Sequence, residues 1–81
     1  MWYVYLVQSE RTGALYCGAT TDLDRRLAQH NAGAGAKWTR AFRPVRLVWS
    51  ERVGTKSEAL RREAEVKRLS RRARLALAGL R

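Results

Sequence analysis

The chain has 81 residues, of which 46% are apolar, and 17 basic against 7 acidic side chains give a net charge of +10. That length allows a single domain, residues 1–81, with a thin core. The charge calls for a polyanionic partner, with nucleic acid ahead of an acidic membrane surface or a merely solvated basic face, and no apolar run reaches the ~18 residues of a spanning helix.

Residues 2–8 (WYVYLVQ) are aromatic and β-branched and read as a strand that begins at once, with no signal-peptide pattern before it. Ser9 to Gly13 is a turn, and residues 14–20 (ALYCGAT) are a second strand. If Val7 lies opposite Ala14 in this hairpin, Tyr5 lies opposite Tyr16 and the two share a sheet face. Thr21 or Asp22 caps a helix that runs to about Asn31, with Leu23 and Leu27 as its buried stripe. At about 100° per residue, Arg26 and His30 fall within about 60° of Leu23, so two polar side chains stand on the inward side.

Asn31 to Ala36 is a small-residue loop, followed by Lys37, Trp38, Thr39, Arg40 and Arg43. The glycine spacing and the Lys37-Trp38 pair exclude a P-loop. Pro44 opens a third strand, Val45 to Glu51, whose alternation places Val45, Leu47 and Trp49 on one face. Thr55 and Glu58 form a capping box for a helix from Lys56 to about Ser70, with Ala59, Leu60, Val66 and Leu69 on its buried side. Arg71 to Arg81 is a short basic helix with Leu75, Ala76 and Leu77 apolar and Gly79 ending it.

Glu63 falls inside the buried stripe of its helix, about 40° from Ala59. An inward carboxylate needs a salt bridge or a metal ion. Asp22, Asp24 and Glu58 belong to helix starts, which leaves too few of the seven acids for a two-metal cluster but enough for one Mg²⁺. A lone histidine and a lone cysteine, Cys17, exclude zinc sites built on either. The single cysteine also fits a reducing, cytoplasmic setting. Arg26 either caps a carboxylate or clamps a phosphate. His30 is either a satisfied helix-end residue or a proton carrier. Trp38, between Lys37 and Arg40, either stacks on an unpaired base or folds back as core. Cys17, one residue from Tyr16, points to the other face and into the core.

These residues carry a resemblance over nearly the whole chain. Tyr3-Val4-Tyr5 and Tyr16-Cys17-Gly18 resemble the two motifs of the GIY-YIG nuclease superfamily. The run from Gly18 through Arg26 to His30, the Gly35-to-Arg40 run and Ser57-to-Glu63 resemble further segments of its small single-domain bacterial members. The resemblance implies an α+β fold, a three-stranded antiparallel sheet flanked by helices in the order β-β-α-β-α-α. It implies a divalent-metal-dependent endonuclease that hydrolyses DNA, or RNA, in repair or processing. Tyr5, Tyr16, Arg26, His30 and Glu63 would be catalytic, and Glu63 would hold Mg²⁺ or Mn²⁺. Lys37, Trp38, Arg40 and Lys67 would contact nucleic acid. The chain departs from the family at Tyr3, where a glycine is usual, at Ala19, where some members have lysine, and in lacking an asparagine after Glu63. A protein partner would then supply targeting. The alternative is a non-catalytic nucleic-acid-binding module on the same scaffold.

Overall fold

The computed structural model describes residues 1–34 and 37–80, apart from the side chain of Trp38. Its elements in chain order are β1 (Trp2–Ser9), β2 (Leu15–Thr20), α1 (Leu23–Asn31), α2 (Lys37–Phe42), β3 (Val45–Val53), α3 (Lys56–Arg68) and α4 (Arg71–Leu77). The three strands form one antiparallel sheet in the order β2-β1-β3. The α+β architecture follows the sequence reading, with one addition. Lys37–Phe42, to which that reading gives no element, is a short helix.

β1 is the middle strand because it is apolar on both sides, and Val4 to Val7 are all buried. Tyr5 and Val7 point to one face, where they pack with Val45, Tyr16, Leu23 and Leu27 beneath α1. Val4 and Leu6 point to the other, where Cys17, Ala59 and Val66 join them beneath α3. The sheet therefore separates α1 from α3.

The hairpin register differs from the expected one. Val7 pairs with Tyr16, and Tyr5 pairs with Gly18. The shift is two residues, so Tyr5 and Tyr16 still share a face, diagonally rather than directly opposed. The turn sets this register. Ser9 N–H donates to Ala14 O at 2.9 Å, while Ser9 Oγ accepts from Arg11 and Thr12 N–H at 3.3 and 3.2 Å. Gly18 then becomes a steric requirement, because a Cβ there would lie 2.6 Å from Tyr5 Cζ. Gly18→Ala is expected to cost about 1–3 kcal/mol of stability by overpacking. A urea midpoint equal to that of the wild type would contradict this packing.

β3 also departs from simple alternation. Leu6 pairs with Trp49 but Val7 with Leu47, so Val48 is an extra residue, a β-bulge. The bulge turns Trp49 to the α3 face, away from Val45 and Leu47. One helix limit also changes. Ser70 is not the end of α3 but the N-cap of α4, its hydroxyl accepting from Ala73 N–H. Leu60 is 51% exposed rather than buried, and Ala78, not Ala76, joins Leu77 against the core.

Candidate active site

α1 places the polar residues over the first face of the sheet. Asp22 caps the helix by accepting from Arg25 N–H at 3.1 Å. At the far end Asn31 ties α1 to β3, donating to Val45 O at 3.0 Å and accepting from Val45 N–H at 2.7 Å. Between these anchors, Arg26 and His30 stand one turn apart above Tyr5. Arg26 Nε donates to the Tyr5 hydroxyl at 3.4 Å, and its Nη1 to Gln29 Oε1 at 3.3 Å. Among the described residues no carboxylate pairs with Arg26. Of its two sequence readings, the carboxylate cap is thus not the one realised.

His30 is fully buried, with Nε2 2.8 Å from the Tyr5 hydroxyl and Nδ1 2.8 Å from Thr39 Oγ1. Its ring meets Tyr16 edge-on at 5.6 Å between centroids and Tyr5 tilted at 5.9 Å. Tyr5, Tyr16, Arg26 and His30 are therefore one cluster. Within it the two tyrosines differ: Tyr5 is 2% exposed and Tyr16 is half-buried at the edge strand. Burial pushes the Tyr5 phenol up, against the lowering effect of the Arg26 hydrogen bond and charge, so Tyr5 keeps its proton at neutral pH.

Burial, and then the Arg26 charge, hold His30 below its ordinary pKa of 6.5. Below that value the unfolded chain takes up a proton that the folded chain refuses. The contribution of His30 to stability is therefore complete above about pH 6.5. It falls as pH drops toward the lower folded value, by at most about 1.4 kcal/mol per pH unit. Urea unfolding measured from roughly pH 8 to pH 5 checks this, and stability rising on acidification in that window would contradict it.

Glu63 comes from the other side. It lies on α3, and its backbone carbonyl is 4.0 Å from Cys17 Sγ on the opposite face of β2. α3 packs on the face of the sheet opposite Tyr5, Tyr16 and α1. β2 is an edge strand, so its outer border is open to both faces. The Glu63 carboxylate, 18% exposed, pairs with Lys67 Nζ at 3.1 Å. Lys67 is raised above its ordinary pKa chiefly by that bond. Cys17 itself is pushed up to about 11, first by burial and then by Glu63, which keeps it an inert thiol.

No group of three or more potential metal ligands occurs among the described residues. A Mg²⁺ ion typically takes one or two protein carboxylates, with waters and substrate phosphate oxygens for the rest. Glu63 already carries a cationic partner in Lys67, so its setting accepts positive charge, and one carboxylate fits a substrate-assisted ion.

Of the expected nucleic-acid contacts, Lys37 and Arg40 are exposed on α2, and Arg40 Nε donates to Gly33 O at 3.3 Å. Lys67 is exposed but engaged by Glu63. The side chain of Trp38 lies outside the described residues. Sequence reasoning did not single out Thr39. The available signal was that a buried imidazole needs a partner at each nitrogen, and Thr39 follows the loop beyond His30.

A family model described as the GIY-YIG catalytic domain matches residues 1–76. The chain is 48% identical over 75 residues to a UPF0213 protein of Staphylococcus saprophyticus, which covers 93% of this chain and 90% of that one. It is 53% identical over 70 residues to a UPF0213 protein of Cupriavidus necator, with 85% and 74% coverage. The solution NMR structure of a UPF0213 protein from Bacillus halodurans matches with a TM-score of 0.59 and 46% identity, over 98% of this chain and 84% of that one. No helix among the described residues is long and apolar enough to cross a membrane.

Proposed function

This chain belongs to the GIY-YIG catalytic-domain family, and on that premise we propose that it is a divalent-metal-dependent endonuclease hydrolysing DNA phosphodiester bonds. The family assignment itself carries a nuclease-like domain and a nucleic-acid substrate. DNA as the substrate, the metal and a role in repair or processing are our reading. The observation that carries it is Arg26, a guanidinium anchored by two neutral partners and paired with no carboxylate among the described residues. Such a group is ready for a phosphate, and its planar fork suits two phosphate oxygens.

Arg26 grips the scissile phosphate and offsets the charge that develops on its oxygens. Tyr16, the half-buried tyrosine, orients the attacking water. Tyr5 is too covered for that task and instead holds Arg26. His30, without exposure, acts through Tyr5 and not on the substrate. Water oxygen adds to phosphorus as the bond to the 3′ oxygen breaks; the water gives up a proton to solvent, and the departing 3′ oxygen takes one from it. Glu63 would hold the Mg²⁺ or Mn²⁺ ion, which supplies Lewis-acid stabilisation of the leaving oxygen. Lys67 releases Glu63 for that purpose and turns to the backbone phosphates with Lys37 and Arg40.

A panel of labelled single-stranded, nicked and branched DNAs, with RNA as a comparison, tests this with Mg²⁺ and with chelator. Metal-dependent cleavage of DNA is expected. The Glu63–Lys67 pair gives the alternative its footing, since a carboxylate already satisfied suits a non-catalytic binding module. Binding without cleavage in any metal would favour that module. Its log K would fall against log salt with a slope near −4 for about five phosphate contacts.

A further inference from the structure

We propose that Thr39 is a positioning residue that fixes the tautomer of His30 and, through Tyr5, the orientation of Arg26. The tautomer follows from counting protons along one buried chain of hydrogen bonds. A guanidinium only donates, so the Tyr5 oxygen accepts from Arg26 Nε at 3.4 Å. The single Tyr5 O–H proton must then go elsewhere, and His30 Nε2 lies 2.8 Å away. Nε2 accepts, and the neutral imidazole carries its own proton on Nδ1. That N–H points at Thr39 Oγ1, 2.8 Å away, which accepts it. Thr39 and His30 are both fully buried, so water does not substitute for either partner.

The other tautomer reverses the chain. Nε2–H would compete with Arg26 for the Tyr5 oxygen, and the Tyr5 proton would lose its acceptor. Nδ1 would face a hydroxyl that must turn to donate. By accepting the Nδ1 proton, Thr39 favours the arrangement in which Tyr5 receives Arg26, and Arg26 is the group that would meet the phosphate. Thr39 sits on α2 between Lys37 and Arg40, both exposed. The helix expected to touch nucleic acid is therefore the one that sets the relay. The effect on cleavage rests on the nuclease reading above, while the tautomer does not.

Nitrogen-15 NMR of the single histidine tests the assignment, paired with single-turnover DNA cleavage in Mg²⁺. In the wild-type protein near neutral pH, Nδ1 is expected to be protonated and Nε2 unprotonated. Thr39→Val keeps the shape and removes the acceptor. It is expected to move His30 away from the Nδ1–H form and to slow cleavage about 10-fold or more at unchanged KM, as a misaligned clamp does. Thr39→Ser is expected to restore both. A wild-type Nε2–H tautomer overturns the proposal whether or not the variants fold, and so does a Thr39→Val spectrum like that of the wild type. Wild-type protein that shows the Nδ1–H form yet cleaves nothing removes the nuclease reading and leaves the tautomer assignment standing.

Discussion

Arg26→Ala is expected to slow DNA cleavage by about 10²–10³-fold, the usual loss when one preorganised donor to the developing charge is removed. The size follows from its setting. Tyr5 and Gln29 hold the guanidinium at 3.4 and 3.3 Å without neutralising it, so its charge is reserved for the substrate. Arg26→Lys is expected to recover little, because an ammonium lacks the planar fork and the Nε–H that reaches Tyr5. Folding is the control. Arg26 is half-buried, makes two neutral hydrogen bonds and pairs with no carboxylate among the described residues, so its loss is expected to move stability by no more than about 1 kcal/mol. Single-turnover rates and urea midpoints, measured on the same preparations, separate the two effects. Wild-type cleavage in Arg26→Ala would remove the phosphate clamp from the mechanism.

Glu63→Gln is expected to abolish binding of Mn²⁺ used as a spectroscopic probe and to slow cleavage about 10³-fold, since a bound ion supplies several kcal/mol of charge stabilisation. Its neighbour is expected to act in the opposite sense on binding. Lys67 competes with the ion for the same carboxylate at 3.1 Å. Lys67→Met removes an ion pair that, with a half-exposed lysine, is worth up to about 1 kcal/mol, so Mn²⁺ affinity without DNA should rise by about two- to fivefold. Unchanged Mn²⁺ affinity in Glu63→Gln would place the ion elsewhere.

The sequence displays this site unevenly, for physical reasons. Helix phase alone brought Arg26 and His30 inward on α1 and Glu63 toward the core on α3, because a period of about 3.6 leaves little choice once Leu23, Leu27, Ala59 and Val66 are buried. The shared face of Tyr5 and Tyr16 was equally legible, since a strand period of two survives an even register shift. The register itself was not, because it depends on the Ser9 side chain closing the turn through two backbone N–H groups. The room needed by the Tyr5 ring opposite Gly18 was a clue available in the motif. The bulge at Val48 reversed Trp49, and no local pattern in a run of apolar residues announces such an insertion. α2 is six residues long and follows a small-residue loop, so what marks it is tertiary, including the hydrogen bond between His30 and Thr39. Helix phase marks Glu63 as an inward carboxylate, but its side of the sheet depends on which face α3 covers, and periodicity within one helix does not contain that.

The central claim is that residues from both sides of the β2 edge act as one phosphodiesterase centre. Single-turnover cleavage in Mg²⁺ by wild type, Arg26→Ala, Glu63→Gln and the double variant, on the DNA cut best in the panel, tests it most directly. Groups that serve one transition state are strongly non-additive. The double variant is therefore predicted to lose about as much rate as the more damaged single variant. Losses that multiply as for independent sites, or a wild-type rate in Glu63→Gln, would contradict a single centre built around that edge.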